Sequence, residues 1–162
     1  MFSEATNNLN VLRTIKIKVL SDLQELDRLL FQFDQIYQDF IPDRDWLQSR
    51  LALAEGFTNA VRHAHKDLPK EVPITVKVFL RLNSIEIQIW DYGSDFDLNN
   101  FIVETARQNR GWLSSGRGIP LLNKIANRLD YQRKNNRQNC LLIVKNFSSR
   151  RQQNLTKLPK KL

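Results

Sequence analysis

The sequence is poor in cysteine and has no long apolar run. Its single cysteine, Cys140, cannot form an internal disulfide and lies in the apolar stretch CLLIV, where burial is favoured over reactivity. A lone thiol fits a reducing compartment, because disulfides accumulate in oxidising ones. No stretch approaches the ~18 consecutive apolar residues that a membrane-spanning helix needs, and the N-terminal MFSEATNNLN lacks the basic and apolar regions of a signal peptide. We therefore expect a cytoplasmic protein with no membrane association.

Acidic residues are outnumbered, since 17 Asp and Glu stand against 25 Lys and Arg and the net charge is +8. Such an excess invites an interpretation as nucleic-acid binding. Five of the basic residues, however, lie in 148–162, which contains no acid, so 20 basic and 17 acidic side chains make up the remainder. A polar tail of this kind is typical of a solvated terminus. Nucleic acid is therefore a disfavoured partner, and that alternative predicts salt-sensitive DNA binding that disappears when 148–162 is deleted.

The composition is otherwise that of a globular protein, with 41% hydrophobic and 26% charged residues. Three Trp and nine Phe argue against disorder. A chain of 162 residues fits one domain. We predict a polar lead over 1–12, a folded domain over 13–147 and a basic flexible tail over 148–162.

Hydrophobic periodicity first predicts a strand and a helix. Apolar and polar residues alternate over 13–19, which indicates a half-buried strand. Ser21 with Gln24 resembles a capping box, and apolar residues then recur at spacings of three and four. We expect this helix to run to about Phe40.

The rest of the chain predicts hairpins mixed with helices. Asp43 is expected to cap a second helix that ends near His65. The further elements are strands 74–82 and 85–90 in a hairpin, a helix over 99–108, a loop over 109–117, a helix over 119–128, and strands over 129–133 and 140–144. This order favours an α+β two-layer sandwich with a mixed, mostly antiparallel sheet and helices on one face.

Three polar side chains recur every four residues on the second predicted helix. Glu55, Asn59 and His63 therefore share a face, which aligns a carboxylate with an amide oxygen. Mg²⁺ prefers such oxygen ligands and keeps phosphates in its shell, so Asn59 could serve it beside a bound nucleotide while Glu55 transfers a proton. A polar stripe alone is equally the solvated face of a helix.

Asp91 and Gly93 follow the predicted strand that ends at Trp90. The Asp91 carboxylate can only accept hydrogen bonds, as the amino group of adenine requires, and Gly93 permits a bend or a close backbone approach. A turn without a ligand would use the same residues.

Gly116, Arg117 and Gly118 open the helix predicted over 119–128. Backbone N–H groups at a helix start attract anions, and Arg117 adds a charge suited to phosphate oxygens. By itself a Gly-x-Gly is more often an ordinary loop, and no full dinucleotide or Walker pattern is present.

Taken in order, these motifs resemble a known superfamily, that of gyrase, heat-shock-chaperone, histidine-kinase and mismatch-repair ATPases. Within it, ALAEGFTNAVRHAH looks like the N box of bacterial anti-sigma-factor serine/threonine kinases. IWDYGSDFD resembles their adenine-binding box, and SSGRGIPLLNKIANRLDY their lid-and-helix box. The resemblance covers about 13–147 and implies the Bergerat-type ATP-binding fold.

The resemblance also implies roles. Glu55 would be the catalytic base and Asn59 the Mg²⁺ ligand, while Asp91 would accept from adenine and Gly93 permit close approach. Gly116, Arg117 and Gly118 would cradle the phosphates of ATP. The protein would bind a sigma factor and phosphorylate an anti-sigma-factor antagonist, and a homodimer is a further expectation from the resemblance.

Two departures from the resemblance keep an alternative open. Gly56 stands where the family usually has Ala. One interpretation is a loss of about 1 kcal/mol in helix stability, and the other is that the glycine lets the nucleotide approach the helix closely. The last hairpin reads RQNC over 137–140 where Gly-Thr is usual, so a hydroxyl contact to adenine is not supplied and affinity for ATP is expected to be modest. The alternative is a non-catalytic ATP-binding switch that acts on a partner through ordering of the lid over 94–118.

Neither histidine is interpreted as a phosphate acceptor. His63 fits the N box but is expected to pack or to form hydrogen bonds beside the core stripe. His65 is expected at the surface. With these two histidines and no upstream helical hairpin that carries an H-E or H-D pair, a histidine autokinase is poorly supported.

Overall fold

The computed structural model of the chain describes residues 10–107, 118–135 and 137–148. Its strands are β1 (Arg13–Val19), β2 (Ile74–Leu80), β3 (Ser84–Asp91), β4 (Arg128–Arg133) and β5 (Asn139–Asn146). Its helices are α1 (Leu26–Asp34), α2 (Asp43–Asn59), α3 (Leu98–Arg107) and α4 (Gly118–Ile125). A 3-10 turn over Leu23–Glu25 leads into α1, and a π-helical segment over Ala60–Ala64 continues α2.

The five strands form one sheet in the order β1-β2-β3-β5-β4, in which every neighbouring pair is antiparallel. Alternate residues of β2 and β3, such as Val76, Val78, Ile87 and Ile89, are buried under the helices. The predicted α+β sandwich with helices on one sheet face is confirmed. The sheet is antiparallel throughout the described strands rather than mixed.

Helix α2 lies at the centre of the helical layer and contacts α1, α4, β3 and β5. Its fully buried residues Leu53 and Phe57 pack into the core. Burying such side chains contributes about 1.5–3 kcal/mol each, so the position of α2 over the sheet is strongly specified. The polar face of this helix is thereby held beside the ends of β3 and α4.

The first helix begins and ends differently from the prediction. Asp22, not Ser21, caps the 3-10 turn that leads into α1, because the Asp22 carboxylate accepts from the Gln24 N–H at 3.0 Å while Ser21 is buried. The helix ends at Asp34 rather than near Phe40. The apolar spacing continues to Ile36, and this side chain is buried. The backbone there forms successive tight turns and does not continue the α-helix.

Other boundaries also shift. Pro42 occupies the cap position of α2, and Asp43 is its first residue, with a carboxylate that accepts from the Tyr37 hydroxyl at 3.2 Å. The last helix ends at Ile125 instead of 128, because Asn127 already pairs with Val144 of the sheet. The loop predicted over 109–117 and nearly all of the basic tail lie outside the described residues.

In the part of the chain that the structure describes, no helix has the length and apolar character needed to cross a membrane.

Candidate functional site

A cavity of about 340 Å³ opens between α2 with its π-helical extension, the end of β3, and helices α3 and α4. Much of its wall is apolar, formed by side chains such as Ile89, Leu98 and Leu141. Polar groups of Asn59, His63, Asp91 and Tyr131 also line it. An apolar cleft with a few convergent polar groups is typical of a small-molecule site.

Asp91 is almost fully buried at the end of β3, and its carboxylate is held by three donors. The Gly93 N–H donates to Oδ1 at 2.8 Å and the Asn139 amide at 2.9 Å. The Tyr131 hydroxyl lies 3.1 Å from Oδ1 and 2.9 Å from Oδ2. Buried carboxylates require such partners, so the turn after β3 is fixed with its acceptor facing the cavity.

Asn139 ties this turn to the neighbouring strand. It is fully buried opposite Asp91 in the register of β3 and β5, and its amide also donates to the Gly93 carbonyl at 3.0 Å. Arg133 of β4 donates to the same carbonyl at 3.3 Å. The turn is therefore bound to two strands that follow it late in the chain.

The backbone of Gly93 packs closely against the π-helical segment that continues α2. A Cβ on Gly93 would lie 2.7 Å from the carbonyl oxygen of Ala64 and 2.9 Å from its Cα. Because backbone atoms cannot move aside as a side chain can, any larger residue would separate the turn from the helix. The sequence predicted a close approach to a ligand, which stays a prediction; the close neighbour in the structure is Ala64 of the protein itself.

His65 is the clearest correction to the sequence-based interpretation, because it is buried, with 2% of its surface exposed. Its Nε2 accepts from the Tyr92 N–H at 2.8 Å, so the turn after β3 is anchored from the helical side as well. Burial lowers the pKa of His65 and outweighs the opposing influence of the Asp91 charge. A neutral imidazole, protonated on Nδ1, is the form that accepts this hydrogen bond.

Glu55 and Asn59 are brought together under the first residue of α4. A Cβ on Gly118 would lie 2.9 Å from the Glu55 carboxylate oxygen Oε2 and 2.9 Å from the Asn59 amide nitrogen. This contact was not predicted from the sequence, and the predicted role of Gly118 in cradling phosphates stays a prediction. Gly116 and Arg117 lie outside the described residues.

The two polar ends of the site are separated along the helix. Ala64 touches the turn that carries Asp91, and Glu55 lies about 14 Å away along the axis of the same helical rod. A nucleotide whose base contacts Asp91 would therefore extend its phosphates towards Asn59 and Glu55.

Asn59 is the residue that the resemblance assigns to Mg²⁺. Its amide nitrogen is buried and has no hydrogen-bond partner among the described residues, and as a donor it could serve a phosphate oxygen, whereas only the amide oxygen could ligate a Mg²⁺ ion. Those residues include no group of three His, Cys, Asp or Glu side chains that could hold a metal by themselves. Mg²⁺ commonly shares its shell between one or two protein oxygens and substrate phosphates, so an ion held through Asn59 would be bound together with the nucleotide.

Gly56 faces the sheet, which gives a third reason for a glycine there. A Cβ at this position would lie 2.5 Å from the Cδ1 atom of Ile89. Gly56 also lines the cavity. Helix–sheet packing against Ile89 therefore accounts for Gly56 in addition to the two alternatives that the sequence left open.

Sequence reasoning missed Tyr131, Asn139 and the role of His65. Inward-facing positions of β5 run Asn139, Leu141 and Ile143, so a polar residue in this apolar row signals a buried partner. That signal was available in the alternation of the last strand. The identity of the partner was not, because it depends on strand register.

The chain matches the profile of the histidine kinase-like ATPase domain over residues 20–145. This match covers most of the chain, and the protein therefore belongs to the histidine kinase-like ATPase domain family. Membership supports ATP binding and an ATP-using activity. No curated protein matches the chain.

Proposed function

We propose that this protein is an ATP-dependent serine/threonine protein kinase that acts as an anti-sigma factor. It would bind a sigma factor, and an antagonist protein, which it phosphorylates, would relieve this inhibition of the sigma factor. Such a role belongs to the cytoplasm. A homodimer is a further expectation. The observation that carries the proposal is the placement of Glu55 beside Asn59 and Gly118, at the far end of the helix from the Asp91 turn. A carboxylate at the phosphate end of the site is what proton abstraction from an incoming hydroxyl requires.

In this mechanism, Asp91 accepts from the amino group of adenine and the apolar walls exclude water from the base. Asn59 orients the triphosphate, and Glu55 takes the proton of the serine hydroxyl. The serine oxygen bonds to the γ-phosphorus while the bond to the bridging oxygen breaks and ADP leaves. A bound Mg²⁺ would neutralise charge on the phosphate oxygens.

The test is phosphoryl transfer from labelled ATP to a candidate antagonist protein, with the product analysed for phosphoserine and phosphothreonine. Glu55→Gln should lower the transfer rate by about 10²–10⁴-fold, the usual contribution of a general base. Affinity for ATP should change little. Glu71→Gln, which alters an exposed carboxylate outside the cavity, is the matched control and should behave as wild type. Transfer that survives Glu55→Gln would rule out Glu55 as the base.

A second candidate is a non-catalytic ATP-binding switch. The observation that favours it is the contact of Gly118 with Glu55 and Asn59, since phosphates entering this space would displace the start of α4. In that case ATP would change the affinity for a protein partner, and no phosphorylated product would form with any antagonist. The switch would be excluded if the protein bound its partner equally well with and without ATP and also transferred phosphate to the antagonist.

A further inference from the structure

The carboxylate of Asp91 uses its two oxygens unequally. Oδ1 accepts from Gly93, Asn139 and Tyr131, whereas within the described residues Oδ2 accepts from the Tyr131 hydroxyl alone, at 2.9 Å. A carboxylate offers about four acceptor sites in total. Oδ1 is therefore saturated, and Oδ2 is the oxygen with room for a further donor.

Tyr131 stands beside that oxygen in the cavity wall. It lies opposite Leu141 in the register of β4 and β5, on the face of the sheet that the helices cover, and both Asp91 and Tyr131 line the cavity. Phe96 packs edge-on against its ring at 5.9 Å, which fixes the direction of the hydroxyl. The cavity thus presents a carboxylate oxygen and a hydroxyl side by side.

We infer that the Tyr131 hydroxyl reads the base of the nucleotide together with Asp91, by donating to the ring nitrogen N1 of adenine while Oδ2 accepts from the 6-amino group. This inference rests on the proposed function and names a specificity-determining residue for it. A hydroxyl hydrogen rotates freely, so it can turn from Asp91 to the base. The incoming amino group then replaces it at Oδ2, and Asp91 keeps its full set of donors.

The ionisation of Tyr131 is consistent with this role. Burial and the charge of Asp91 both raise the pKa of Tyr131, so the hydroxyl keeps its proton and stays a donor. A phenolate in the same place could only accept.

The pair also selects between purines. Adenine presents a donor amino group next to an acceptor nitrogen, whereas guanine presents an acceptor oxygen next to an N–H donor. Guanine would place its oxygen against Asp91 and leave both protein groups mismatched, a cost that strongly discriminates in buried sites. The Tyr131 hydroxyl of β4 thus supplies the hydroxyl contact to adenine. The last hairpin, which reads RQNC over 137–140, lacks the residue expected to make that contact.

The experiment compares nucleotide dissociation constants of the full chain in Mg²⁺ buffer by calorimetry. The ligands are ATP, 1-deaza-ATP, which lacks N1, 7-deaza-ATP, which keeps it, and GTP. Wild-type protein should bind 1-deaza-ATP about tenfold more weakly than ATP and 7-deaza-ATP nearly as well as ATP. Tyr131→Phe should bind ATP about tenfold more weakly than wild type, bind 1-deaza-ATP as wild type does, and discriminate less against GTP.

Tyr37→Phe is the matched control, because it removes a tyrosine hydroxyl that donates to Asp43, outside the cavity. It should leave all four dissociation constants unchanged. If wild-type protein binds ATP and 1-deaza-ATP equally, the inference is wrong while the proposed function stands. The same conclusion follows if Tyr131→Phe tightens ATP, since the hydroxyl would then compete with the base. A wild-type protein that binds none of these nucleotides overturns the proposed function and this inference with it.

Discussion

Gly118 lies against Glu55 so closely that a methyl group on its Cα would meet the carboxylate oxygen Oε2 at 2.9 Å. The same methyl would meet the Asn59 amide, so the first residue of α4 touches both of these polar side chains of α2. The fold thus uses a residue without a side chain at the point where a helix start meets its two predicted reactive groups.

Gly118→Ala should therefore impair function more than stability. Both neighbouring atoms are the ends of flexible side chains, so the chain can still fold with Glu55 and Asn59 displaced, at a cost of about 1 kcal/mol. Misplacing reactive groups by about 1 Å can lower a rate about 100-fold, and we expect a transfer rate 10- to 100-fold below wild type.

The measurement is the initial rate of transfer from ATP beside a thermal unfolding curve. Asn123→Ala, an exposed change on the same helix, serves as the control and should alter neither. A normal rate in Gly118→Ala would show that the contact with Glu55 has no part in the reaction.

Gly56→Ala tests why a glycine occupies the last turn of α2. Intrinsic helix preference alone would make Ala more stable by about 1 kcal/mol. The Cδ1 atom of Ile89, 2.5 Å from the new methyl, should reverse that sign and give a loss of about 1–3 kcal/mol.

A double-mutant cycle with Ile89→Val isolates the contact, because valine lacks the offending atom. Ile89→Val alone should cost about 0.5–1.5 kcal/mol, and the double variant should be clearly more stable than the sum of the single losses predicts. Urea unfolding measures all four proteins. Additive losses would mean that the two residues do not press on each other.

Sequence patterns were sufficient for the parts of the fold that repeat locally. The alternation predicted both strands, and its inward residues are buried as far as Leu80 in β2 and over 85–89 in β3, since period-two patterning decides which face is buried. Leu82, which the same alternation included, lies beyond the end of β2 and is 58% exposed. The end of α1 was wrong because Tyr37 continues the apolar spacing, and only tertiary packing shows that it contacts the core from a turn. Local periodicity cannot distinguish these two ways of burying one side chain.

Short sequence motifs were enough to single out some candidate residues. The contacts that depend on how strands and helices pair in space could not be predicted. Asp91 and Gly93 follow from the end of a strand and a glycine. Asn139 meets Asp91 only because β3 and β5 pair in one register, and His65 meets Tyr92 only because the helix ends beside the sheet. Contacts between residues so far apart in the chain leave no periodic trace.

Cys140 should be inert in the folded protein. It is buried on β5, and burial raises the pKa of its thiol to about 12, so little of the reactive thiolate exists at neutral pH. Alkylation at pH 8 followed by mass spectrometry should label it many times more slowly in buffer than in concentrated urea. Rapid labelling of the native protein would contradict this burial.

His65 should make stability depend on pH through its buried imidazole. The pKa of His65 is below its ordinary value of 6.5, because desolvation disfavours the imidazolium. As pH falls through about 6.5, His65 therefore binds a proton in the unfolded chain but stays neutral in the folded chain. Stability from the neutral ring is fully present above that pH and is lost as pH falls from 6.5 towards the depressed pKa of the folded state.

His65→Gln separates this effect from the titration of carboxylates. A glutamine amide oxygen can accept from the Tyr92 N–H as Nε2 does, but it does not titrate. Urea unfolding from pH 8 to pH 5 should give free-energy curves that run parallel above about 6.5, and wild type should fall away from the variant below it. Affinity for ATP should decline over the same range in wild type alone, because a protonated Nε2 would direct a hydrogen at the Tyr92 N–H and loosen the turn that holds Asp91. Curves that remain parallel down to pH 5 would show that His65 carries the same charge in the folded and the unfolded chain.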